Sequence, residues 1–179
     1  HDGEPLSDGW PVNTGYKSLG KVMADLDGDG TNEIIALAHS PTSGGFSNRR
    51  QLMVIKENGE ILIKWTLSAC NHDLDVMELL PAIANMDDDP ELEIVCVDDC
   101  NAVGIFDLDQ PNKVKVTAFI TSGKLITSPV VGDLDRDGTN EIVVVADGSE
   151  EKTRGGVFVF YRNGSMLPNF PALFEEHFD

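Results

Sequence analysis

The stretch MADLDGDGTNEIIAL, residues 23–37, sets Asp25, Asp27 and Asp29 at alternate positions, then Gly30, then Glu33 at the head of an apolar run. Such crowded carboxylates repel one another unless a cation sits among them. A near copy, VGDLDRDGTNEIVVV, fills residues 131–145. Extended by a residue or so, VMADLDGDGTNEIIAL (22–37), AIANMDDDPELEIVCV (82–97) and VVGDLDRDGTNEIVVV (130–145) align without gaps. Their first loop positions, Asp25, Asn85 and Asp133, lie 60 and 48 residues apart. A repeat of about 50 residues is the period of a propeller blade rather than of a short helical solenoid.

Between the acidic segments the chain reads as strands. EIIALAH, QLMVIKE, EIVCVDD, KVKVTAFI, EIVVVAD and GVFVFYR are short and rich in Val, Ile and Phe, which suits a pleated, half-buried surface. No helical periodicity is sustained. A second element, DGEPLSDGWP (2–11), NGEILIKW (58–65) and NGSMLPNFP (163–171), recurs out of phase with the first. Asn-Gly and Asp-Gly between apolar runs predict two-residue hairpins in which both central residues take positive φ. The reading is all-β, a propeller segment of about three four-stranded antiparallel blades. Residues 1–16 end a preceding blade, 17–68 form the first, 69–121 the second and 122–179 the third. The first blade's strands are expected near 20–25, 33–39, 50–57 and 60–66. Ala24, Ala84 and Gly132 precede the acidic segments, where small residues suit either strands crowding a propeller axis or any tight sheet contact.

Counted from Asp25, the ligand positions are first, third, fifth and ninth: Asp25, Asp27, Asp29 and Glu33 in the first loop, Asp133, Asp135, Asp137 and Glu141 in the third. Calcium takes six to eight oxygens in a flexible shell, and carboxylates at alternate positions of a tight loop converge on one point. Gly30 and Gly138 supply the turn, and the main-chain carbonyls of Thr31 and Thr139 complete the set. The middle loop keeps the register with Asn85, Asp87, Asp89, Glu91 and Glu93 but has Pro90 in place of the glycine. Proline fixes φ near about −65°, so altered geometry or weaker binding is expected there. An EF-hand is excluded, since it needs a glutamate at position twelve and flanking helices, and position twelve is Ala36 or Val144. A solvated acidic turn is the plain alternative for one such loop; three in one register favour the ion. Flexible oxygen-rich loops favour Ca²⁺ over Mg²⁺ without deciding between them.

The charge pattern agrees. The formal net charge is −18, and 13 of the 31 acidic residues lie in the three short segments. Such a balance disfavours nucleic acid and anionic membranes as partners, and no apolar run approaches a membrane span. The chain starts HDGEPLSDGW, with neither Met nor a visible signal peptide, and is expected to be a processed or excised piece.

These motifs resemble the FG-GAP/VCBS repeats of integrin-alpha-like β-propellers: Asp-x-Asp-x-Asp-Gly-x-x-Glu followed by an apolar strand in the first and third repeats, with hairpins like DGEPLSDGWP and RNGSMLPNFP. The resemblance implies a seven- or eight-bladed ring, Ca²⁺ between the first two strands of each blade, and a secreted or cell-surface protein that binds a protein or carbohydrate. Asn85 and Pro90 depart from it. Three blades do not close a ring, so further blades are expected from the parent or from another chain. The function expected is extracellular recognition, adhesion or structural assembly without catalysis. The alternative is the propeller domain of a carbohydrate-active enzyme such as a polysaccharide lyase. No G-x-S-x-G, H-E-x-x-H or phosphate-cradling loop is present.

Blade topology places the acidic loops on one face and the longer loops 39–50, 67–80 and 147–156 on the other, where Arg49, Arg50, His72 and Arg154 are candidate contacts. That face also brings Cys70 and Cys100 onto neighbouring segments; the sequence admits a disulfide between them and does not decide it. Cys96 falls inside a strand and reads as a buried thiol. Asn163 opens an Asn-Gly-Ser glycosylation pattern in a tight hairpin, which gives it little weight.

Overall fold

A computed structural model describes residues 9–14, 17–40, 49–67, 79–87, 89–98, 100–111, 115–119, 124–125, 127–148 and 155–174. Among them there is no helix, and so none long and apolar enough to cross a membrane. The strands build three antiparallel sheets, none closed on itself. The first runs β1 (Lys17–Ala24), β2 (Glu33–Ser40), β3 (Arg49–Ile55), β4 (Ile61–Thr66). The second runs β5 (Ala82–Ala84), β6 (Glu93–Val97), β7 (Ala102–Phe106), β8 (Lys115–Phe119). The third comprises β9 (Lys124–Leu125), β10 (Val130–Gly132), β11 (Glu141–Asp147), β12 (Gly156–Phe160) and β13 (Ala172–Leu173). In the first two sheets, and over β10 to β13 of the third, the order in space follows the order in the chain.

The third sheet has five strands but four positions. Both β9 and β10 pair with the same edge of β11, through Leu125 opposite Ala146 and Val130 opposite Val143. Together they occupy the place that the single strand β1 holds in the first sheet. That strand carries its own irregularity, between Ser18 and Gly20.

The sheets pack face upon face because each strand alternates two apolar rows. Ile35, Leu37, Leu52, Val54 and Trp65 of the first sheet meet Ile94, Cys96 and Phe106 of the second. The Trp65 and Phe106 rings sit 5.3 Å apart, tilted by 58°, and the Trp65 indole N–H donates to the Pro111 carbonyl at 2.7 Å. The other face of the second sheet, Val95, Val97, Val103 and Ile105, meets Ile142, Val144, Ala146, Phe158 and Phe160 of the third. On the far side of the first sheet, Ala36, Ala38, Met53 and Ile55 are covered by Trp10 and Val12.

The hairpins differ from expectation. Gly59 has φ +83° and Gly164 φ +85°, whereas Asn58 and Asn163 keep negative φ. Gly59 N–H donates to the Lys56 carbonyl and Lys56 N–H to the Glu60 carbonyl, both at 2.9 Å. The same pair links Gly164, Tyr161 and Ser165. These are three-residue loops with a glycine in the left-handed region. They replace the two-residue turns because the Asn58 and Asn163 side chains accept the N–H two residues on, an arrangement that needs only one left-handed residue. Asn163 is thus engaged within its own turn.

Four further expectations meet the structure here. Arg50 lies in β3 and is buried, 3% exposed, which removes it from the surface contacts. Arg49 heads the same strand, and His72 and Arg154 fall outside the described residues. Cys96 is a free, buried thiol whose ionisation burial opposes. Cys100 is disulfide-bonded; Cys70 lies outside the described residues. A side chain at Gly132 would meet nothing within 4 Å, so no crowding selects glycine at that position.

Candidate metal centres

Each acidic segment joins the first and second positions of its sheet, from β1 to β2, β5 to β6 and β10 to β11. The glutamate at position nine opens the second strand and points inward. Glu33, Glu93 and Glu141 are 1%, 2% and 0% exposed. In each, Oε2 accepts the main-chain N–H of the residue at loop position two. Leu26 N–H donates to Glu33 at 2.9 Å, Leu134 N–H to Glu141 at 2.8 Å, and Met86 N–H to Glu93. The other oxygen, Oε1, is buried in all three and has no hydrogen-bond partner. Asp25 Oδ1 is in the same condition. A buried carboxylate oxygen without a partner is costly, and native structures seldom keep one without a reason. Here it recurs three times at one position of the repeat.

The remaining carboxylates are held by their own loop. In the first, Asp29 N–H donates to Asp27, Thr31 N–H to Asp29, and Gly30 N–H to Asp25 Oδ2, at 3.2, 2.8 and 2.9 Å. The third repeats this, with Gly138 N–H to Asp133 Oδ2 at 3.1 Å and Thr139 N–H to Asp137 at 2.8 Å. Gly30 and Gly138 take φ of +92° and +93°, the left-handed turn expected of them. The Thr31 and Thr139 hydroxyls, then their main-chain N–H groups, hold the Asp29 and Asp137 carboxyls below the usual range.

The middle loop reaches a similar shape by another route. Pro90 has no N–H to give to position one, and position one is Asn85 instead of aspartate. The Asn85 amide donates to the Asp89 carbonyl, while its Oδ1 accepts Asp87 N–H at 3.2 Å. The two departures therefore belong together: the missing donor is matched by a missing negative acceptor. Asp89 N–H and Glu91 N–H still donate to the carboxylates two residues back, at 3.2 and 3.1 Å.

Three sets of carboxylate oxygens converge to within 4.8 Å of one another: Asp25, Asp27 and Asp29; Asp87, Asp89 and Glu93; and Asp133, Asp135 and Glu141. Glu33 is not in the first set, though it feels the Asp27 and Asp29 charges, and Asp137 is not in the third, its carboxylate accepting the Thr139 N–H. Thr31, Thr139 and Glu91 occupy position seven, where their N–H groups serve the loop. Each set could hold a metal ion. Hard oxygen donors, several of them charged, suit Ca²⁺ or Mg²⁺ rather than a softer metal.

Burial raises the pKa of Glu33, and the Asp27 and Asp29 charges add to it. Glu93 is pushed up to about 7 by burial, reinforced by Asp87, Asp89 and Asp107. Glu91 is raised by burial and then by Asp109.

Asp107 and Asp109 escaped the sequence reading. Their segment, FDLDQP (106–111), offers an Asp-x-Asp signal of its own but belongs to the β7–β8 turn. Comparison with protein-family models, with curated proteins and with solved structures finds no match.

Proposed function

We propose that the chain is a calcium-stabilised segment of β-propeller, three four-stranded blades of the FG-GAP/VCBS kind, serving outside the cell as a non-catalytic module for recognition, adhesion or assembly. The observation that carries this reading is the buried, unpartnered Oε1 of Glu33, Glu93 and Glu141, one in each acidic loop. An ion would supply the missing partner in all three places. The meander order of each sheet and the sharing of one apolar cluster between successive sheets support the blade arrangement. Further blades, from the parent protein or another chain, would complete the ring.

Calcium here would hold loops together rather than take part in chemistry. Binding to the folded state alone adds about 2.7 kcal/mol per site at a hundredfold excess over Kd, against a net stability of about 5–15 kcal/mol for a domain. Three such sites make folding depend on the ion and fit a calcium-rich setting such as the cell exterior. The partner would be a protein or a carbohydrate.

The test is a thermal melt in millimolar Ca²⁺ and in EDTA, with Asp27→Ala and Asp135→Ala beside the parent. The melting temperature should drop in EDTA, and the drop should shrink in each variant. Identical melts in the two solutions would remove the calcium reading.

A further inference from the structure

In every repeat the last paired residue of the third-position strand lies opposite the residue that follows the buried glutamate. Ile55, Phe106 and Phe160 pair with Ile34, Ile94 and Ile142, each of which follows the glutamate. The next residues are Lys56, Asp107 and Tyr161. Lysine has no acceptor to offer a cation, and the Tyr161 hydroxyl donates to Asp135 Oδ2 at 3.1 Å. Only the middle repeat places a carboxylate there. It is also the repeat whose first loop position has lost one, at Asn85.

Asp107 faces the middle loop across a cavity of about 10 Å³ that Asp87, Glu93 and Gln110 also line. That is room for about one water-sized atom. The Glu93 Oε1 is buried in this region without a partner, and Glu93 itself is 2% exposed. Asp107 is set in place by its own turn: Oδ1 accepts Asp109 N–H at 2.8 Å and Oδ2 accepts the Gln110 amide at 3.1 Å. An oxygen that accepts one such bond keeps a lone pair for a cation. Arg162 closes the cavity from the third sheet, with Nη1 donating to the Met86 carbonyl at 3.2 Å.

We infer that Asp107 is a ligand of a divalent cation at the middle site, supplied from the end of β7 in place of the aspartate that Asn85 replaces. The inference rests on the calcium reading above. The first and third loops each bring three carboxylates together from within nine residues. The middle loop also brings three together, Asp87, Asp89 and Glu93, and Asp107 adds one from outside the loop, so an ion there would tie the acidic loop to the β7–β8 turn. The middle site is then no weaker than its neighbours for want of the first aspartate.

Calorimetric titration of the metal-free chain with Ca²⁺ tests this. The parent should bind three ions, and Asp107→Asn should weaken one of them by at least about tenfold, with any change at the other two smaller. Three ions bound by Asp107→Asn with parental affinities would overturn the inference and leave the calcium reading standing. No heat and no binding in the parent would overturn both. A readout that needs no variant is the carboxyl ¹³C signal of Asp107 in the parent. It should shift together with those of Asp87 and Glu93 as Ca²⁺ is added, and an Asp107 signal that stays still while theirs move would count against the assignment.

Discussion

The main-chain N–H of Leu92 donates to the carbonyl of Leu26 at 3.0 Å, so the eighth position of the middle loop is bonded to the second position of the first. Leu26 gives its own N–H to Glu33, and Leu92 precedes Glu93. One residue, Leu26, therefore links Glu33 to the segment that leads into Glu93. The third loop repeats the reach by a side chain, with the Asn140 amide donating to the Asn85 carbonyl at 2.8 Å.

The three sites should consequently respond to one another. Asp27→Asn, which impairs the first loop, is expected to weaken Ca²⁺ binding at the middle loop as well, by a coupling of about 0.5–2 kcal/mol. Residue-resolved NMR titration would read this, with the Leu92 amide shifting when the first site fills. Independent binding curves in parent and variant would rule the coupling out.

Without metal, Glu93 makes stability depend on pH. Its pKa in the folded chain is raised to about 7, above the value of about 4.3 for an exposed glutamate. The protonated form is favoured by folding, so this contribution is full below about pH 4 and is lost as pH rises through 7. In EDTA, the melting temperature should fall between pH 5 and 8, and Glu93→Gln should flatten that fall. In Ca²⁺ the ion should displace the proton, seen as proton release on titration near pH 6.5.

Asn85 and Pro90 should behave as a pair. Asn85→Asp alone adds a charge with no glycine N–H to receive, and Pro90→Gly alone adds a donor with no carboxylate facing it. Each is expected to destabilise the metal-free chain, and the double variant to recover about 1 kcal/mol relative to the sum of the two. Urea denaturation of the four proteins in EDTA measures the cycle.

Two glycines with similar φ should differ in cost. Gly30 has open space where a Cβ would go, so Gly30→Ala bears only the left-handed backbone strain, about 1 kcal/mol. A Cβ on Gly59 would lie 2.5 Å from the Gly9 carbonyl oxygen. Gly59→Ala must also push that segment away, and with it Trp10, whose indole N–H donates to the Glu57 carbonyl at 2.8 Å. A loss of about 2–4 kcal/mol is expected, measured by urea melts of both variants in Ca²⁺.

Much of this architecture is written locally. The glutamate-led apolar runs at 33, 93 and 141 announce the second strand of each sheet, because a buried row of Ile and Val leaves few other options. The alternating carboxylates announce the loop before it. What the sequence hides is carried by contacts between distant residues. The strand β7, AVGIF, is short and interrupted by Gly104, so only its pairing with β6 marks it. The split of β9 from β10 depends on the partner β11. Asp107 resembles any turn aspartate until the fold sets it on the cavity that Glu93 also lines. Asn85 and Pro90 read as two defects, and only the bonds of the folded loop make them one substitution.

The bond from each glutamate Oε2 to the loop's second N–H has a consequence in time rather than in energy. These bonds and the ladders of N–H to carboxylate contacts hold the loops in shape with no ion present. Little of the chain then has to move during capture, and preorganised sites lose little free energy to ordering. Uptake should run close to the rate at which the ion sheds its water, so the module would track a change in calcium almost as fast as the change occurs.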